Sequence, residues 1–213
     1  MKCDDRMLTF YQYPFSHWCV KVQKIMDYKG VEYEPVRVGY HDKLELIKAT
    51  GQDYVPALVN GKEVVTYAFI PDYLEELKPN PTIYPKGTKA VSKAIENWAH
   101  YRLEEIVWRY VVPDVPKTFK DDLERWVFVE IQELKRGPLE LVEQRRPALK
   151  AEMNSHLQIL EDMLKQHPCL LAESPSLADF AVYGAVNPIP FSGNIFPEAF
   201  PKLESWFKSI SDL

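Results

Sequence analysis

The chain has 213 residues, 46% of them hydrophobic and 13% aromatic, and a net charge of −5. That charge balance argues against a nucleic-acid polyanion as the main partner, and the apolar content can build one large domain or two small ones. Three dispersed cysteines, Cys3, Cys19 and Cys169, exclude a disulfide framework and suit a reducing compartment. No apolar run reaches the about 20 residues needed to span a bilayer. The charged N-terminus has no signal-peptide apolar region, so a cytoplasmic protein without a membrane span is expected. The five histidines, at 17, 41, 100, 156 and 167, form no ligand cluster, and no metal is expected. The short basic runs Lys135-Arg136 and Arg145-Arg146 read as solvated helix faces.

The first 78 residues change period repeatedly. MLTFYQY alternates as a strand does. Residues 16–29 then follow a helical period, with Cys19, Val22, Ile25 and Met26 on one stripe and Gly30 as the stop. VEYEPVRV, 31–38, is strand-like, and HDKLELIKATG is a short helix or turn. YVPALVNGKEVVTY carries two β runs about Asn60-Gly61, a strong hairpin signal. IPDYLEELK reads as a helix with Pro71 in its first turn. The order β-α-β-α-β-β-α predicts a compact α/β unit whose first two strands are parallel and last two antiparallel.

Residues 78–87, KPNPTIYPKG, read as a Pro-rich linker. Beyond it nearly every segment is helix-periodic. One long helix is predicted over 88–112, with Val91, Ile95, Trp98 and Ile106 inward and Arg102 snorkelling to the edge. Further helices are predicted over 118–135 and 148–166, the second striped by Leu149, Met153, Leu157, Leu160 and Leu164. SLADFAVYGAV begins with a capping-box-like Ser176 and Asp179, and FPKLESWFKSI reads as a last helix.

Three segments carry a resemblance: FSHWCVKV at the first helix, YVPALVNGKEVV at the hairpin, and PSLADFAVYG in the helical half. In this order and spacing the chain resembles a cytosolic glutathione transferase. The resemblance implies an α/β thioredoxin-like N-terminal domain over 1–78, a linker over 79–87 and an all-α helical domain over 88–213. It implies glutathione as co-substrate, a small hydrophobic electrophile as partner, and a homodimer.

It also assigns residues. Ser16 stands at the start of the first helix, where unpaired N–H groups and the helix dipole favour an anion. By resemblance it donates its hydroxyl hydrogen to the glutathione sulfur, in a position where a redox protein carries a thiol. Val55-Pro56 is expected to be cis, with Val55 pairing to the cysteinyl backbone of glutathione. Gln52 and Tyr54 are placed near the glycyl end. Thr66 and Tyr67 fall where the family holds the γ-glutamyl group with an acidic residue or Gln followed by Ser. That is a departure: losing a charge-assisted hydrogen bond worth roughly 1.5–3 kcal/mol lowers affinity about tenfold or more. Phe15 and Trp18 from one domain, with Tyr101 and Trp108 from the other, are the candidate substrate walls. Trp98, Tyr101, Glu105 and Trp108 share one helical spacing. His17 either polarises the substrate or sits exposed at the helix start. Cys19 falls on the core stripe.

Three functions follow from these residues. The leading one is a Ser16-dependent glutathione transferase. The second is a non-catalytic transferase-like scaffold, suggested by Thr66-Tyr67. The third is a thiol oxidoreductase working through Cys19.

Overall fold

The computed structural model describes residues 7–192 and 199–213; Cys3 lies outside them. The N-terminal part runs β1 (Leu8–Gln12), α1 (His17–Lys29), β2 (Tyr33–Arg37), α2 (Leu44–Thr50), β3 (Ala57–Asn60), β4 (Glu63–Thr66) and α3 (Ile70–Leu77). The sheet order is β2-β1-β3-β4, with β1 parallel to β2 and both other pairings antiparallel. The hairpin turn lies one residue later than the Asn60-Gly61 pair suggests. Asn60 pairs with Glu63, so Gly61 and Lys62 form the turn. Gly61 takes the left-handed position at φ 61°, which a glycine in the first central place of a tight hairpin does without a steric penalty.

Helix α1 shows why this stretch folds as it does. Cys19, Val22, Ile25 and Met26 are all fully buried along its stripe. Gly30, at φ 60°, ends the helix: its N–H bonds to the Asp27 carbonyl, and the Val31 N–H bonds to that of Met26. Lys29 is buried beside this end, its ammonium donating to Glu75 and to the Lys78 and Pro81 carbonyls at 2.6–2.8 Å. The Pro-rich segment is thus tied down, and Ile83 within it is fully buried.

The second half comprises α4 (Lys89–Trp98), α5 (Glu104–Val111), α6 (Asp122–Arg136), α7 (Leu139–Gln144), α8 (Arg146–Met163), α9 (Leu177–Val186) and α10 (Pro201–Ser211). Asp121 caps α6, its carboxylate accepting from the Glu124 N–H, so that helix starts later than predicted. All ten residues of α9 are buried, and it packs on α1. A Cβ on Gly184 would lie 2.4 Å from the His17 carbonyl oxygen, so only glycine permits this close approach. Among the described residues no helix is long and apolar enough to cross a membrane.

The long helix predicted over 88–112 is interrupted by a π turn at Ala99–Leu103, where the Glu104 N–H reaches the Ala99 carbonyl. One extra residue per turn shifts the phase of everything after it. Ile106 is buried, Ile95 and Trp98 are half-buried, but Val91 is exposed, contrary to expectation. Arg102 does reach outward, to Glu152. Two of the basic residues read as solvated are enclosed instead. Arg136 pairs with Glu105 and Gln132, and Arg146 with Asp114 and Glu143.

Candidate functional site

The chain leaves β1 through a turn closed by the Ser16 N–H on the Tyr13 carbonyl, and α1 begins at once. Ser16 is its N-cap: the hydroxyl oxygen accepts from the Cys19 N–H at 3.4 Å. The same hydroxyl also interacts with the Cys19 thiol, and at the positive end of the helix it can turn to donate to an anion. Two adjoining cavities meet at Ser16 and share Tyr13, Tyr40 and Lys135.

The first cavity, about 350 Å³, lies between Ser16 and the segment Asp53-Tyr54-Val55. The Val55–Pro56 bond is cis. Among the described residues no group pairs with the Val55 N–H or C=O, so both are open to a peptide-like ligand. Gln52 does not line this cavity. Its amide donates to the Tyr54 carbonyl at 2.8 Å, and Asp53 takes the wall position instead.

The second cavity, about 270 Å³, opens toward α5 and α6. Phe15 and Trp108 are on its wall, together with His17, Glu104, Gln132 and Arg136. Gln132 organises the polar side: it accepts from the Trp108 indole and from Arg136, and donates to the Tyr40 hydroxyl. The Tyr13 hydroxyl is buried and, among the described residues, unpaired. Burial, with Tyr40 and Glu124 nearby, raises its pKa, so it stays a donor at neutral pH.

Trp18, Tyr67 and Tyr101 are brought together elsewhere, around a groove of about 460 Å³ that Ser16 does not line. Tyr67 adopts a left-handed φ of 50°, its N–H on the Pro56 carbonyl. Its ring lies 3.9 Å from Trp18, and its hydroxyl is hydrogen-bonded with Tyr101. Trp18 stacks in turn on His100 at 3.4 Å. Thr66 lines neither of the Ser16 cavities and caps nothing with its side chain. The predicted aromatic wall is therefore two clusters, split by the π turn, which swings Tyr101 away from the face of Trp108.

Behind this groove is a buried charged group. Lys21, with no exposure, donates to Glu96 at 2.7 Å and lies 3.2 Å from His100. Burial draws the Lys21 ammonium down to about 8, opposed by Glu96. Burial also lowers His100 to about 4. His17 is enclosed, not exposed as its helix-start position suggests. Burial, then His100 and Lys21, hold it well below the usual imidazole range, so it is neutral at pH 7. Cys19 is fully buried, its sulfur accepting from the Tyr13 N–H, and burial raises its thiol to about 11. At neutral pH it is a core thiol with almost no thiolate.

Residues 10–82 match the glutathione S-transferase N-terminal domain and residues 123–213 its C-terminal domain. The chain belongs to the cytosolic glutathione transferase family. A probable glutathione S-transferase of Nicotiana tabacum is 26% identical over 92% of this chain and 74% of its own. A zeta-class glutathione S-transferase of Euphorbia esula is 37% identical over 50% of this chain and 54% of its own. The glutaredoxin 2 of Salmonella typhimurium, solved with glutathione, superposes with a TM-score of 0.82 over 98% of this chain and 94% of that one. At 17% identity that likeness is one of fold. Within the transferase frame, sequence reasoning missed Tyr13, Tyr40, Glu104 and Gln132. For Glu104 a signal existed: it stands four residues before Trp108, on the same helical face.

Proposed function

We propose that the chain is a glutathione transferase in which Ser16 holds the glutathione thiolate for attack on a small hydrophobic electrophile. Glutathione is the co-substrate. Its peptide backbone pairs with Val55, and its sulfur accepts from the Ser16 hydroxyl. The electrophile lies in the second cavity against Phe15 and Trp108. Rate then comes from lowering the thiol pKa and from orientation. The observation that carries this reading is the meeting, in one cavity, of a helix-capping hydroxyl and a cis Val55–Pro56 whose Val55 backbone has no partner among the described residues. A homodimer, a cytoplasmic location and domains at 1–78 and 88–213, joined by 79–87, belong to the same reading and rest on family membership.

Glutathione titration with calorimetry, on the wild type and Ser16→Ala, tests it. Saturable binding is expected in both, with the bound-thiol pKa higher and kcat/KM about 10–100-fold lower in the variant, a loss of about 1.4–2.7 kcal/mol. Undiminished turnover in Ser16→Ala overturns it. The scaffold reading has one observation in its favour: Tyr67 spends its ring on Trp18 and its hydroxyl on Tyr101. Absence of binding at millimolar glutathione would decide for it.

A further inference from the structure

Glu104 opens α5 at the point where the π turn ends, and its side chain is 17% exposed in the wall of the second cavity. Its acidic neighbours are neutralised: Glu105 by Arg109 and Arg136, Glu96 by Lys21. Among the described residues the only polar contact of Glu104 is His17 Nδ1, at 3.4 Å, on a ring that is itself neutral. Ser16 and Glu104 line the same cavity, with the rings of Phe15 and Trp108 in its wall.

We propose that Glu104 is the general acid of this site, protonating the oxygen leaving group of an aryl ether as the Ser16-held glutathione thiolate displaces it. The inference rests on the function proposed above. The sulfur–carbon bond forms as the carbon–oxygen bond breaks. The electron pair goes to oxygen, the Glu104 proton follows it, and a phenol leaves. The proton shed when glutathione becomes a thiolate returns to Glu104 through solvent. Glutathione and ether thus give thioether and phenol with no further reactant.

A phenolate leaves poorly, since its conjugate acid has a pKa of about 10, whereas chloride needs no proton. The carboxyl is suited to the task. Burial, then Glu105, raises it to about 7, against the opposing pull of Arg136 and Lys135 on α6. The acid form is therefore populated at neutral pH, where proton donation of this kind is worth about 10²–10⁴-fold.

The test compares 1-chloro-2,4-dinitrobenzene with a series of α-aryloxyketones carrying phenols of graded acidity, in the wild type and Glu104→Gln. In the variant the ratio of ether to chloride turnover should fall at least about 100-fold. The ether rate should also depend more steeply on phenol acidity, and a descending limb near pH 7 should vanish. An unchanged ratio overturns the general acid, as does a wild type that turns over the chloride alone. The wild-type ether series needs no variant: a dependence as steep as that of uncatalysed thiolate displacement also overturns it. A wild type that turns over neither substrate overturns the Ser16 reading as well.

Discussion

Ser16 and Ser176 each begin a helix, and the two helices pack against each other at Gly184. Around Ser176 every donor is closed. Its N–H and hydroxyl go to the Asp179 carboxylate, which also accepts from the Leu170 N–H and the Trp206 indole, all within 2.7–2.9 Å. Both residues are fully buried. Ser16 accepts one long bond, beside a Tyr13 hydroxyl with no partner and a Glu104 carboxyl that no lysine or arginine pairs with among the described residues. The same capping chemistry serves stability in one place. In the other it leaves polar groups uncommitted, as a ligand site requires.

The comparison breaks most readily at Asp179. Removing its carboxylate in Asp179→Ala strands three buried N–H donors and should cost at least about 3 kcal/mol by denaturant unfolding. A loss under about 1 kcal/mol would mean water replaces it and the closed-cap description is wrong. The paired cap variants sharpen the contrast. Ser176→Ala should destabilise by about 1–2 kcal/mol, and Ser16→Ala by less, because its cap bond is long and beside a cavity. If Ser16→Ala were the more destabilising, its hydroxyl would be structural first.

A further contrast is in pH. Glu104 has a folded pKa raised to about 7 from 4.5. Its contribution to stability is complete below about 4.5 and is lost as pH rises through about 7, because the unfolded chain ionises first. Glu104→Gln, which keeps the neutral shape, should therefore gain melting temperature relative to the wild type between pH 5 and 8. A constant difference across that window would place the carboxyl in water.

The fold and its family were legible because they rest on local signals in fixed order. The α1 stripe, Gly30, the hairpin, Val55-Pro56 and the Ser176/Asp179 cap each act through neighbouring residues, and pattern reading captures such short-range chemistry. The candidate site was legible in part for the same reason: Ser16 and Val55 are recognisable by position, and both line one cavity. Gln52 and Tyr101 were misplaced because a side-chain bond and a π turn redirected them. Neither event leaves a mark in hydrophobic period.

The sequence by itself thus determined the elements, their order, the sheet pairing and the helix start that carries Ser16. Tertiary structure alone decided which uncommitted groups face Ser16. It enclosed Lys21 and His17 and moved their pKa values. It also turned Glu104, rather than Glu105, into the cavity. The reason is physical: burial and charge neighbours come from residues dozens of positions apart, and one added residue in a helical turn rotates all that follow by about 100°.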